Sequence, residues 1–259
     1  MVGEVLVGPV MVGPVAHGGH CVVRIADPDA GPGGRVVFVR HALPGEVVRL
    51  RLTDTSQKRF WRGDAVEILQ PAPGRRTPPC PVFHPGGCGG CDFQHATEDT
   101  QRQLKAEVVA EQLWRLGGLE WTGVVEEVAP VWRWRTRMRY QLTPQGPGLR
   151  SHRSHTVIPV PVEGCAIAAH DAAVVPGQPE TAGELLVVTT ADGFHLGDPH
   201  SRQVVTEEAA GRPYRVALDG FWQVHPAAAD VLVAAVLGGV DPQPGERALD
   251  LYCGVGLFA

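Results

Sequence analysis

The sequence predicts an α+β chain of several domains, and three observations carry that reading. Short strand-like runs broken by Gly, Pro and Asp fill residues 1–70. A helix-like stretch follows a cysteine-rich loop, and the chain closes on a helix, an apolar run and a Gly-rich turn in succession. The expected layout is a small β-barrel over 1–70, a central α/β domain over 71–220, and the opening of a Rossmann-like unit over 221–259.

The elements follow in order. VLVGPV, HCVVRIA, GRVVFVRHALPGEVVRLRL and DAVEILQ read as strands, and VVRLRL alternates apolar and Arg positions as a half-exposed strand does. PAPGRRTPPCP (71–81) reads as a Pro-rich linker. TEDTQRQLKAEVVAEQLWRLGG reads as a helix with Thr97 as N-cap. Ala106, Val109, Ala110, Leu113 and Leu116 fall at helical spacing, and Gly117 and Gly118 supply the stop. Strand-like material returns in VWRWRTRMRYQL, LLVVTT and YRVALD. A second helix is expected in PAAADVLVAAVLGG, with Pro226 in its first turn and Gly-Gly as its stop. RALDLY is expected as an apolar strand.

With 44 % hydrophobic and 20 % charged residues, the 259-residue chain has an ordinary globular composition. No run of 18 apolar residues occurs, which argues against a membrane partner. No basic residue precedes the apolar N-terminal run, which argues against a secretory signal. The expectation is a cytoplasmic monomer. A net charge of −5 does not advertise a nucleic-acid binder, so local patches must decide. Arginines number 21 against two lysines, which lowers the weight of any one arginine cluster.

Six cysteines in a reducing compartment point to metal or catalytic use before disulfides. CPVFHPGGCGGC sets Cys80, Cys88 and Cys91 in one loop, with two glycines letting the last two thiolates face a common point. A fourth ligand must come from elsewhere, and Cys165 in PVEGCAIA is the best candidate. Four thiolates suit tetrahedral zinc or a four-iron cluster. One CxxC with outlying partners leans toward iron–sulfur. His84 reads as a solvated loop residue and Cys21 as a small buried hydrophobe.

In VWRWRTRMRY, Arg133, Arg135, Arg137 and Arg139 alternate with mostly apolar and aromatic residues. A continuous strand would place all four guanidinium groups on one face. Residues 128–162 hold six arginines and no Asp or Glu, with Arg150 and Arg153 extending the patch beside His152 and His155. Such a face suits RNA phosphates. The alternatives are a solvated edge, or pairing with acids from other segments.

Asp250-Leu-Tyr-Cys-Gly254-Val-Gly256 follows the last apolar run. A Gly-rich turn after a strand cradles a nucleotide-like ligand because no Cβ blocks the approach. A tight β–α turn that binds nothing is the plain alternative. Cys253 has no adjacent base and reads as part of the turn rather than as a nucleophile.

Taken in order, FVRHALPGEVV, CPVFHPGGCGGCDFQH, RWRTRMRYQL, GLRSHRSHTVIPVPVEGC, GFWQVHPAAADVLV and LDLYCGVGLF resemble the iron–sulfur branch of the uracil-5 RNA methyltransferases, which carries an N-terminal TRAM domain. The resemblance implies an OB-like barrel over 1–70 and a [4Fe-4S] cluster on Cys80, Cys88, Cys91 and Cys165. It also implies S-adenosyl-L-methionine bound by Gln223, Tyr252, Asp250, Gly254 and Gly256, and ribosomal RNA ahead of transfer RNA as partner. The sequence departs from the family pattern in its seven residues between the first two cluster cysteines, in His225 where the family has Asn, and in Leu257 where a polar residue is common. The family's Cys nucleophile and acidic base lie downstream of the donor motif, and no residue here matches them. The expectation is a C-terminally truncated chain, inactive alone. A non-catalytic RNA-binding module with a zinc or cluster site is the alternative.

Overall fold

A computed structural model describes residues 6–173 and 183–259. The chain divides into two compact units: residues 1–127 with 151–153, and residues 128–150 with 154–259.

The first unit is built on a six-stranded sheet. Its strands are β1 (Leu6–Met11), β2 (Val15–Ala16), β3 (His20–Ile25), β4 (Arg35–Arg40), β5 (Val47–Asp54) and β6 (Phe60–Gln70), in the spatial order β1-β5-β6-β4-β3-β2. The two edge strands are consecutive in sequence and separated by only Val12–Pro14, so the sheet must curl until its edges meet. Backbone bonds there reach both ways. Val12 N–H donates to Glu46 O at 2.8 Å, and Gly13 N–H donates to Val22 O at 2.8 Å. Where β1 bulges against β5, Gly8 adopts φ 127°, and a Cβ there would stand 2.7 Å from Val48 O. Only Gly fits that corner.

Period-two alternation fills the inside of the curl. Val23, Val37, Val39, Val48 and Leu50 point inward with Cys21 and Ala65, and Leu104 of the first helix packs against the same cluster. Cys21 is fully buried, its Sγ–H donates to Ala42 O at 3.3 Å, and burial pushes its thiol up to about 12. It behaves as the small hydrophobe expected of it.

That helix, α1 (Glu98–Gly117), has the expected boundaries. The Thr97 hydroxyl accepts from Thr100 N–H, and Gly118 ends the helix in the left-handed region at φ 62°. The expected linker 71–81 is fastened to the unit. Arg75 Nη2 donates to Glu46 at 2.7 Å and to His41 O at 2.7 Å, and Arg76 Nη1 donates to Glu98 at 2.8 Å. Glu46 is fully buried and also accepts from the Leu43 and Ala72 amides. Residues 71–127, expected in a central domain, therefore lie with the strands of 1–70.

The second unit contains β7 (Arg137–Thr143), β8 (Gly146–Arg150), β9 (Val157–Pro159), α2 (His170–Ala173), β10 (Gly183–Thr190), β11 (Gly193–Gly197), β12 (Val204–Ala209), β13 (Arg212–Ala217) and α3 (Ala228–Val240). Five strands form an antiparallel sheet in the order β11-β10-β7-β8-β9, and β12 and β13 form a hairpin. An α/β arrangement was expected here. Tight connections between neighbouring strands give antiparallel pairing without crossover helices, so the unit is α+β. Tyr140 is fully buried against Ala168 and Ala172, with its hydroxyl donating to Ala172 O.

Two further expectations are corrected. Helix α3 runs through Gly238 and Gly239 and stops at Asp241, which takes the left-handed conformation at φ 45°. Pro226 precedes the N-cap position, Ala227. RALDLY forms no strand, because among the described residues no neighbour pairs with it, and Leu249 and Leu251 stay exposed.

Candidate functional site

The Gly-rich turn closes as a local knot of left-handed residues. Tyr252, Gly254 and Gly256 have φ of 65°, 59° and 82°, and Gly256 N–H donates to Cys253 O at 2.9 Å. A Cβ at Gly254 would meet nothing within 4 Å, so the space beside the turn is open. The Tyr252 ring is fully exposed. Asp250 Oδ2 is buried without a hydrogen-bond partner, which leaves one strong acceptor unmet in the same segment.

Leu257 anchors the far end of the turn. It is buried in one cluster with Trp222, Val205, Leu186 and Ala229. Tyr214 ties the two motif segments together: its ring lies 5.2 Å from that of Trp222, and its hydroxyl donates to Leu257 O at 3.3 Å. An apolar residue at position 257 thus has a packing reason. Half-buried Gln223 follows Trp222, and Val224 O accepts from both Thr136 N–H (2.8 Å) and Thr136 Oγ1–H (3.0 Å). His225 accepts from Ala227 N–H at Nδ1 (3.2 Å), so its Nε2–H donates to Pro130 O (3.0 Å). Its ring stacks on Trp134 at 6.1 Å. Tyr214 is missing from the sequence reading, and nothing local in YRVALD marks it.

The arginine row does not form one continuous strand. The strand begins at Arg137 after an isolated bridge between Arg135 and Ala168, and Arg133 takes a left-handed conformation at φ 56° that breaks the alternation. Arg133 donates to Cys165 O at 2.8 Å and to Glu163 O at 3.3 Å, and Arg135 donates to Arg137 O at 3.2 Å. Arg137 is almost buried and meets Glu207 at 2.7 Å, with side-chain exposures of 10 % and 9 %. It also donates to Leu218 O and Gly220 O. Burial raises the Glu207 carboxyl, and the Arg137 contact only partly offsets this. Arg139 and Arg150 share Glu184 at 2.8 and 3.2 Å and remain about half exposed. Of the alternatives open at the sequence level, pairing with distant acids describes Arg137, Arg139 and Arg150. Arg153 belongs to the first unit.

In that unit the cysteine loop bridges to Ser151 at Cys88. Gly90 N–H donates to Cys88 Sγ at 3.4 Å. Cys80, Cys88 and Cys91 are each half-buried, and Cys165 lies in the other unit. Among the described residues, no group of three or more His, Cys, Asp or Glu side chains stands together as a metal site. Behind the loop, burial pushes His41 down to about 3 and His95 down to about 4, so both imidazoles are neutral near pH 7.

Comparison with known proteins gives these features a context. No family model matches the chain. An uncharacterized RNA methyltransferase of Streptomyces avermitilis is 44 % identical over 94 % of this chain and 66 % of its own length. The chain is a homologue of RNA methyltransferases. It spans just under two thirds of that relative. A second RNA methyltransferase relative, the 23S rRNA (uracil(1939)-C(5))-methyltransferase RlmD of Acinetobacter baylyi, is 41 % identical over 52 % of this chain and 30 % of its own length. In fold, the chain resembles the Pyrococcus abyssi tRNA (uracil-54, C5)-methyltransferase solved with S-adenosyl-L-homocysteine. The TM-score is 0.59 at 18 % identity, covering 93 % of this chain and 69 % of the other. Among the described residues, no helix is long and apolar enough to cross a membrane.

Proposed function

We propose that these residues supply RNA docking and the start of the donor pocket in an S-adenosyl-L-methionine-dependent RNA methyltransferase that forms 5-methyluridine, with ribosomal RNA as substrate. The observation that carries this reading is the turn at 250–257, which holds a buried, unpartnered Asp250 oxygen and leaves open space at Gly254. Its support is the homology to RNA methyltransferases, RlmD among them.

S-adenosyl-L-methionine, when bound, supplies an activated methyl group. Asp250 would accept a hydrogen bond from a donor hydroxyl or ammonium group. The bare backbone at Gly254 and Gly256 would let the ligand approach closely, and Tyr252 would offer an aromatic face. Gln223 would add an amide contact, held in place through its neighbour Trp222 by Tyr214. Methylation at uracil C5 needs a nucleophile on C6 and a base for the C5 proton. We assign neither role to any residue of this chain.

Two results are expected. Deleting the gene removes a 5-methyluridine from ribosomal RNA, read by mass spectrometry of nucleosides from separated RNA fractions; unchanged 5-methyluridine in every fraction sinks the reading. The purified 259-residue chain alone transfers no methyl group to uridine-containing RNA, and measurable turnover overturns the assignment of the nucleophile elsewhere.

The cysteines are proposed as ligands on donor chemistry alone. Three thiols share one loop, and the N–H bond to Cys88 Sγ suits a cluster-bound thiolate. Cys165 would be the fourth ligand. Purified without oxygen, the chain should be brown and carry about four irons. A colourless protein with one zinc rejects the cluster.

A further inference from the structure

The outer face of the curled sheet carries a second, separate constellation. Val36, Phe38 and Arg40 of β4 pair in register with Phe60, Arg62 and Asp64 of β6, and Arg51 of β5 pairs with Asp64 from the other side. Registered neighbours share a face, so these residues stand together, opposite the core face of Val37, Val39 and Ala65. His20 and His152 complete the surroundings, their rings 5.7 Å apart. His20, Phe38, Arg40, Phe60, Asp64 and His152 line a cavity of about 570 Å³, with Arg62 and Arg153 also in its walls.

Its walls combine rings with unmet polar groups. Phe38 and Phe60 meet edge-on at 5.4 Å, and the Arg62 guanidinium lies 4.7 Å from the centre of the Phe60 ring. Arg40 is only 6 % exposed. One of its amino groups donates to Cys91 O and Asp92, yet its Nε–H is buried without an acceptor. Nε2 of His20 and Nε2 of His152 are likewise buried and unpartnered. Asp64 brings a carboxylate to the same lining, and burial raises it.

Three orphaned polar atoms around one cavity cost free energy unless an occupant meets them. A bare phosphate would satisfy the cations but not Asp64 or the rings. A sugar offers no flat face. A guanine base answers all of these needs. Its ring can lie against Phe60 and the imidazoles, O6 or N7 can accept from the Arg40 Nε–H, and its N–H edge can donate to Asp64.

We propose that this cavity takes one unstacked guanine of a single-stranded RNA. The inference rests on the RNA-docking reading above and adds base selection to it, outside the donor site.

The test is titration of the full chain with UUGUU, UUAUU, UUCUU and UUUUU RNA, and with free GMP. UUGUU should bind about tenfold or more tightly than the other three. Asp64→Asn should bring all four within about twofold while leaving the thermal midpoint in place. Phe60→Leu should weaken UUGUU by about tenfold through lost stacking. Equal affinity for the four pentamers overturns the proposal, as does unchanged selectivity in a folded Asp64→Asn. GMP binding as tightly as UUGUU overturns RNA as the source of the base. Pentamer selectivity does not depend on methyl transfer, so failure here and failure of the methyltransferase reading are distinguishable.

Discussion

Replacing Arg137 with Ser is expected to destabilise the second unit by about 3–5 kcal/mol, because it strands Glu207 in a buried site. The substitution also removes the Arg137 donor from Leu218 O and Gly220 O. The exposed neighbour gives the control. Arg139→Ser loses only a half-exposed contact to Glu184, and such surface pairs contribute about 0–1 kcal/mol. Chemical denaturation of the two variants should separate them by several kcal/mol. If Arg137→Ser unfolds no more readily than Arg139→Ser, the buried pair is not what holds that sheet to its hairpin. The same comparison bears on RNA. Arg139 and Arg150, whose heads reach solvent, can lend their charge to phosphates, whereas Arg137 is committed to the fold.

Glu46→Ala should cost the first unit a similar amount, about 3–5 kcal/mol, since Arg75 and two amides lose a shared acceptor. Its pH signature is distinct. Burial would raise the Glu46 carboxyl, but the Arg75 guanidinium and the Leu43 and Ala72 amides outweigh it and hold it below the ordinary value. The stabilisation is therefore complete above about pH 4.3, the unfolded value, and is lost as pH falls through the lower folded value. His41 and His95 act in an earlier window. Their folded values, about 3 and about 4, lie below the unfolded 6.5, so stability declines as pH falls from about 6.5 toward 3. Wild type should weaken in two stages on acidification. Glu46→Ala should keep the decline that starts near about pH 6.5 and lose the second stage, the added steepening below about pH 4.3, as measured by denaturation at a series of pH values. Retention of both stages in the variant removes Glu46 as the acid-sensitive group.

What the sequence made legible was local. The α1 boundaries follow from Thr97 and Gly118, and the strands of the first unit follow from period-two alternation in runs such as VVFVR. What escaped it depended on distant partners. Nothing near Arg137 or Arg139 foretells Glu207 or Glu184, which lie some 70 and 45 residues away. The Trp–Arg alternation continues through Arg133 although the backbone turns there. RALDLY has the composition of a strand, but a strand is made by its neighbour. At the Gly-rich turn, nothing local marked the brace: Tyr214 reaches Trp222 and Leu257 only after folding. The guanine cavity shows the same limit. Phe38, Arg40, Phe60 and Asp64 alternate visibly, yet His152 joins them from more than 80 residues downstream.

The three residues Val12–Pro14 that join opposite margins of the first sheet have a consequence for how this surface can be approached. A sheet whose margins are both occupied by one continuous segment offers few unsatisfied main-chain groups to an incoming strand. Self-association through strand addition, and capture of extended peptides by the same route, are thereby disfavoured. Recognition falls instead to side chains standing off the curled surface, the kind of contact that reads bases and phosphates.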